Sequence, residues 1–256
     1  RKLSRGYDCL IPVSGGKDST WQTWMCLEAG LTPFAVTWAT PARTEIGQRN
    51  LQNLIDLGVD HIDFRISPKV EKRFMLKAFE KYGSTALPMH MAIHAIPVQM
   101  AYRFDIPLIV YGENSAFEYG SSDESVMGHR LNSEWLKRFG VTHGTTAEDW
   151  EREGFTRKEL SWYHRPSDEM LEEKDIRAVF LGHYYQWDPE QVKEAAAKQG
   201  FVFEKGKRRT GLYDYADIDD DFISIHHWMK WYKFGFTRLY DNLSLEIRNG
   251  RVSRDE

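Results

Sequence analysis

Residues Tyr7 to Thr20 read "YDCLIPVSGGKDST", a short apolar run that enters a loop of two glycines, a lysine, an aspartate and hydroxyls. Such a run reads as a buried strand, and Asp18–Ala29, closed by Gly30, reads as the helix that follows. Few chain segments limit a fold more than a strand-to-helix turn this rich in donors and this poor in bulk. Gly15 and Gly16 open backbone angles denied to other residues, so that main-chain N–H groups converge on an anion. The helix N-terminus adds partial positive charge, Lys17 a full one, and Ser14 and Ser19 hydroxyls. Asp18 would hold Mg²⁺ against phosphate oxygens. The loop is not a Walker A motif, because Ile11 stands where that motif needs glycine and Asp18 where it needs Ser or Thr. It is not G-x-G-x-x-G either.

Further strand-like and helix-like runs alternate after it. Pro33–Ala39 reads as a strand, Glu45–Leu57 as a helix, His61–Ile66 as a strand and Pro68–Tyr82 as a helix. Met89–Phe104 has helical spacing that Pro97 is expected to kink or break, and Pro107–Glu113 and Ala178–Tyr184 close the set of strands. This alternation predicts an α/β fold with a doubly wound, parallel, five-stranded sheet. Ligands of such sheets bind beyond the strand carboxyl ends. Those ends are Ser14–Ser19, Trp38–Thr40, Gly112–Asn114 and Gly182–Tyr184. Three regions are expected: a core over 1–125, a helical lid inserted over 126–176, and the last core strand with a helical C-terminal part over 177–256. Within the last, Phe222–Phe234 and a segment stopped by Gly250 read as helices.

Composition narrows the function. The 256-residue chain carries a net charge of −4, which disfavours a nucleic-acid partner. Its only cysteines, Cys9 and Cys26, exclude a disulfide framework and suit a reducing cytoplasm; both lie in apolar periodicity and read as core. No window has the apolar length of a membrane span. The chain opens on Arg1 without Met and stops on a helix-start pattern with no helix after it, so trimming at both ends is expected.

"SGGKDS" resembles the PP-loop of the ATP pyrophosphatases, which split ATP into AMP and pyrophosphate. "AVTWAT", "NLQNLIDLGVDHI", "KAFEKYG", "IPLIVYGEN" with "EYG", and "LGHYYQWDP" follow in one order. Together they resemble the N-acetyl sugar amidotransferases of bacterial surface-polysaccharide (lipopolysaccharide O-antigen) biosynthesis. That resemblance implies conversion of an acetamido group on a nucleotide-diphospho sugar to an acetamidino group, with ATP, Mg²⁺ and ammonia. It also implies glutaminase and cyclase-like partner subunits that supply the ammonia. Relatives carry a Cys-rich segment before the first strand, so a structural zinc site would lie outside these residues.

The residue assignments follow. Ser14, Gly15, Gly16, Lys17, Asp18 and Ser19 would hold the ATP phosphates, and Thr37, Trp38, Gly112 and Glu113 would border adenosine. Lys17 and Asp18 are the expected catalytic pair. Lys233 and Arg238, with Lys230, are candidates for a second cationic contact to the departing phosphates. For the sugar, Arg43, Thr44, Asn50, Asn114, Glu118 and Tyr119 are candidates, Glu118 also for a second Mg²⁺ or for ammonia deprotonation. His90 and His94 share a helix face but lack a third ligand, and read as a packed or substrate-facing pair. The run Asp214–Asp221 reads as a solvated loop. Two other readings stay open, a PP-loop tRNA-modifying enzyme and a non-catalytic nucleotide-binding scaffold. C-x-x-C cysteines are missing for the first, and the intact loop argues against the second.

Overall fold

The computed structural model describes residues 6–112, 114 and 128–255. Five strands, β1 (Cys9–Pro12), β2 (Pro33–Trp38), β3 (Asp60–Phe64), β4 (Leu108–Tyr111) and β5 (Arg177–Phe180), form one sheet in the order β3-β2-β1-β4-β5. Every pairing is parallel. The chain first winds outward from β1 to β3, then crosses to the other side for β4 and β5. The reversal leaves a crevice between the carboxyl ends of β1 and β4, the topological switch point.

Strand alternation builds a core on each face. Leu10, Phe34, Val36 and Ile109 point to one side, with helices α3 (Pro68–Tyr82) and α4 (Ala86–Phe104). Cys9, Ile11, Ala35 and Val110 point to the other, with α1 (Lys17–Glu28) and α2 (Glu45–Ile55). Both cysteines are free and buried, as their apolar setting implies.

Pro97 does not end α4, which continues through it to Phe104. An interior proline costs about 3 kcal/mol through a lost hydrogen bond. Here Ala92, Ala95, Ile96, Val98 and Ala101 around it are all buried, and their burial offsets that loss. The last predicted strand also ends early: Leu181–Tyr184 is a helical turn, and Gly182 N–H donates to the Gly112 carbonyl at 2.9 Å.

Between β4 and β5 the described residues form three short helices, α5 (Ser133–Phe139), α6 (Ala147–Arg152) and α7 (Asp168–Glu173). Their Trp135, Trp150 and Leu171 join the same core as Phe74 and Phe180. After β5 and its helical turn, α8 (Leu181–Tyr184), comes α9 (Pro189–Lys198), capped by Asp188. The chain then reaches α10 (Phe222–Phe234) and α11 (Arg238–Arg248). No helix among the described residues is long and apolar enough to cross a membrane.

Candidate nucleotide site

The loop after β1 turns on Gly15, whose φ is +90°. A Cβ there would stand 2.6 Å from the Leu51 backbone nitrogen and 2.9 Å from its Cα, so α2 leaves no room for a side chain. Gly15 N–H donates to Ser19 Oγ and Gly16 N–H to Ser14 Oγ, both at 3.2 Å. The Ser19 and Thr20 hydroxyls donate to the Gly16 carbonyl at 3.0 Å. No side chain caps α1 at Gly16, which leaves the first-turn N–H groups of that helix to face an anion.

Lys17 is buried at 8% exposure, with its ammonium 5.1 Å from the Trp187 ring centre and 5.8 Å from that of Tyr215. It donates to both carboxylate oxygens of Asp18, at 2.7 and 2.6 Å. Trp187 Nε1 donates to the same carboxylate at 2.9 Å. The ring pocket and the ion pair hold the charge of Lys17 beside Asp18. Trp187 belongs to the "LGHYYQWDP" run, so that motif and the loop meet in space.

A cavity of about 370 Å³ opens at the switch point. Its floor is Ser14, Gly16, Asp18 and Ser19, and Trp38, Gly112 and Arg238 stand in its walls. Residues from four separate parts of the sequence converge here, while Gly182–Tyr184, the fourth expected strand end, do not line it. Trp38 is oriented by a hydrogen bond from Nε1 to Glu71 Oε1 at 2.9 Å. Burial raises the Glu71 carboxyl to about 7. Gly112 packs so closely on α1 that a Cβ would lie 2.8 Å from Gln22 Oε1. Gln22, which the sequence reading passed over, donates to the Val110 carbonyl at 2.7 Å and ties β4 to the loop helix.

Other candidates lie elsewhere. Thr37 is buried and bonded to His61 Nε2 at 2.8 Å, outside the cavity wall. Arg43 forms a two-pronged ion pair with Asp63 at 2.8 and 2.7 Å. Thr44 caps α2, and Asn50 exchanges hydrogen bonds with the Val202 backbone at 2.8 Å both ways. These three line neither this cavity nor its neighbour. Asn114 is buried and accepts from Trp135 Nε1 at 3.0 Å, bracing a wall residue. Glu113, Glu118 and Tyr119 lie outside the described residues. Lys230 and Lys233 face a second cavity, and Arg238 borders both.

The acidic run is not a solvated loop. Asp220 is buried, accepting from Thr40 Oγ1 at 2.6 Å and from Phe222 N–H at 2.7 Å. Asp219 packs against the phosphate loop, hydrogen-bonded to Ser14 and with Oδ2 4.0 Å from a Cβ built on Gly16. Burial raises its carboxyl to about 6. Nothing in the local charge pattern reveals this, because Ser14 comes from the opposite end of the chain.

Because the fold favours protonated Asp219, its contribution falls as pH rises from about 4 through about 6. Asp219→Asn removes that penalty. In calorimetry without nucleotide, the variant is expected to melt above the parent at about pH 7.5, with the gap closing by about pH 4.

No group of three His, Cys, Asp or Glu side chains that would hold a metal occurs among the described residues. Mg²⁺ takes most of its ligands from water and substrate phosphates and needs only one or two carboxylates. Asp18 in the cavity floor fits that demand, and Asp219 lies against the same loop at Ser14 and Gly16.

His90 and His94 also stand in the cavity wall, as a substrate-facing pair would. His90 Nδ1 donates to the Ala86 carbonyl at 2.8 Å, the tautomer that leaves Nε2 as an acceptor. Burial lowers the pKa of both rings, that of His94 to about 3, so both are neutral at physiological pH.

A parallel five-stranded sheet in this order, with SGGKDS at its switch point, is an α/β architecture of the PP-loop type. Residues 208–256 match the family described as LPS biosynthesis protein WbpG-like, C-terminal domain. The match covers α10 and α11, beyond the ordered motifs in the chain, and agrees with the resemblance those motifs carry. No curated protein matches the chain. Among solved structures, the chain is similar to one described as a predicted subunit of tRNA methyltransferase from Methanocaldococcus jannaschii. The identity is 15% over 89% of this chain and 88% of that one, with a TM-score of 0.41. It is also similar to the NMN synthetase of Francisella tularensis, at 12% identity over 80% of this chain and 90% of that one, with a TM-score of 0.33.

Proposed function

We propose that this protein is an ATP-dependent amidotransferase that turns an acetamido group of a nucleotide-activated sugar into an acetamidino group, in the biosynthesis of a bacterial surface polysaccharide. The observation that carries this reading is the SGGKDS loop at the switch point, opening into a cavity whose far wall, Arg238, comes from the WbpG-like segment.

An amide oxygen leaves poorly, so it must be activated. The acetamido oxygen attacks the α-phosphorus of ATP, the bond from that phosphorus to the bridging oxygen breaks, and pyrophosphate departs. Ammonia then adds at the amide carbon, loses a proton, and AMP leaves with the former acetamido oxygen. Charge appears mainly on the departing pyrophosphate, beside Lys17 and the α1 N-terminus, where pre-arranged donors act most strongly. Bound Mg²⁺ would neutralise part of that charge, with Asp18 and Asp219 as its protein ligands. Trp38 and Gly112 would border adenosine. His90, a neutral ring in the cavity wall whose Nδ1–H is committed to the Ala86 carbonyl, is suited to accept a hydrogen bond from ammonia and orient it. We place the ammonia source in a glutaminase that works with a cyclase-like subunit; ammonium salt substitutes for it in vitro.

The test is release of AMP and pyrophosphate by the purified protein with Mg-ATP, ammonium and a panel of UDP-acetamido sugars. Release that depends on one sugar, with a product lighter by one mass unit, supports the reading. Release that no sugar stimulates contradicts it. His90→Ala should lower the ammonia-dependent step by about a hundredfold, with a smaller effect on affinity for ATP.

A further inference from the structure

Beside the nucleotide cavity lies a second one of about 440 Å³, within the usual size of a small-molecule site. The two share His90, Val141 and Arg238 in their walls, so they are contiguous. We propose that this second cavity binds the diphosphate of the acceptor, a nucleoside diphosphate sugar, and that Arg238 stands between the two substrates. This rests on the amidotransferase reading and gives that reaction its second subsite.

Charge is the first argument. Arg138, Lys230, Lys233 and Arg238 line the cavity, with Asp217 the carboxylate in its wall. Three of the four cations have a carboxylate within 4.0 Å: Asp241 lies 2.5 Å from Lys230 and pairs with Arg238 as well, and Glu134 lies 3.3 Å from Arg138. Asp217 is 3.5 Å from His227, and Asp241 reaches Arg238 only at 4.0 Å. Lys233 instead donates to a neutral acceptor, the Tyr82 carbonyl, at 2.8 Å. An ammonium held over a cavity by a carbonyl is suited to an incoming anion.

Unsatisfied polarity is the second. His227 Nδ1 is buried without a hydrogen-bond partner among the described residues, while His226 stands beside it in the same wall. Burial, reinforced by the surrounding cations, lowers His226 to about 3. The ring is therefore neutral at physiological pH, and the wall's positive charge comes from its lysines and arginines. A neutral sugar needs no such cations, whereas phosphate oxygens take charged donors readily.

The position is the third. α10 begins three residues after Asp219, which meets the glycine loop at Ser14, and α11 brings Arg238 back to the nucleotide cavity. An acceptor held by its diphosphate beneath α10 would have the nucleotide cavity as its neighbour across Arg238 and His90. The lysines singled out for the departing pyrophosphate thus serve the other substrate.

The experiment is calorimetric titration of UDP into the protein, alone and preloaded with α,β-methylene-ATP, for the parent, Lys233→Glu and Lys233→Arg. UDP is expected to bind in addition to the ATP analogue. Lys233→Glu should weaken UDP at least roughly tenfold, Lys233→Arg should restore most of it, and both should bind the analogue like the parent. UDP that displaces the analogue, fails to bind, or binds Lys233→Glu as tightly as the parent would overturn the proposal. Failure of the analogue itself to bind counts against the ATP reading instead, and the titration of UDP alone still decides the cavity.

Discussion

Lys17→Ala is expected to cut sugar-dependent pyrophosphate release by about a thousandfold, in line with loss of one pre-arranged donor to a developing oxyanion. The melting temperature should stay close to that of the parent. Lys17 is buried among Asp18, Trp187 and Tyr215, and its ammonium is the group that the substitution removes. Its carboxylate partner is 28% exposed, so water and the Trp187 N–H still solvate Asp18 once the ammonium is gone. Side-by-side turnover and thermal melts check the claim, and a variant that unfolds or turns over normally removes Lys17 from the pyrophosphate site.

Gly15→Ala should disable the site by a different route. The added methyl meets the backbone of Asn50 and Leu51 rather than a side chain able to rotate away. That backbone is fixed, because Leu51 and Leu54 of α2 are fully buried. A φ of +90° adds conformational strain, and overpacking adds more, about 2–5 kcal/mol together. The fall in melting temperature should be roughly 5–15 °C in a chain of this size. ATP affinity should fall with it, since the loop relieves the clash by moving off α2. Gly16→Ala is the control: its φ is −69° and its nearest neighbour is the Ser14 hydroxyl at 3.2 Å. It should melt near the parent and lose nucleotide affinity alone.

The contrast between those glycines shows what the sequence carries and what it withholds. A strand, a Gly-Gly turn and a helix are local events, and so are the apolar runs of β2, β4 and β5; each could be read in a short window. Helix α10 was legible to the residue, because its amphipathic run ends on a glycine, Gly235, in the left-handed region. Pro97 was not, since the burial that keeps α4 whole comes from strands far away in the chain. Asn50 looked like a sugar ligand until the fold supplied Val202 as its partner, and Arg43 until it supplied Asp63. Asp219 looked solvated until the chain returned it to Ser14. Polar side chains are where single-sequence reading loses its footing, because their roles depend on partners that only the fold provides.

The central claim is that ATP activates an acetamido oxygen by adenylylation, and isotope transfer tests it most directly. The acceptor sugar is prepared with ¹⁸O in the acetamido group and turned over with Mg-ATP and ammonium. AMP and pyrophosphate are then weighed by mass spectrometry. Adenylylation predicts one ¹⁸O in each AMP formed and none in pyrophosphate. Unlabelled AMP, or ADP and phosphate as products, would contradict it.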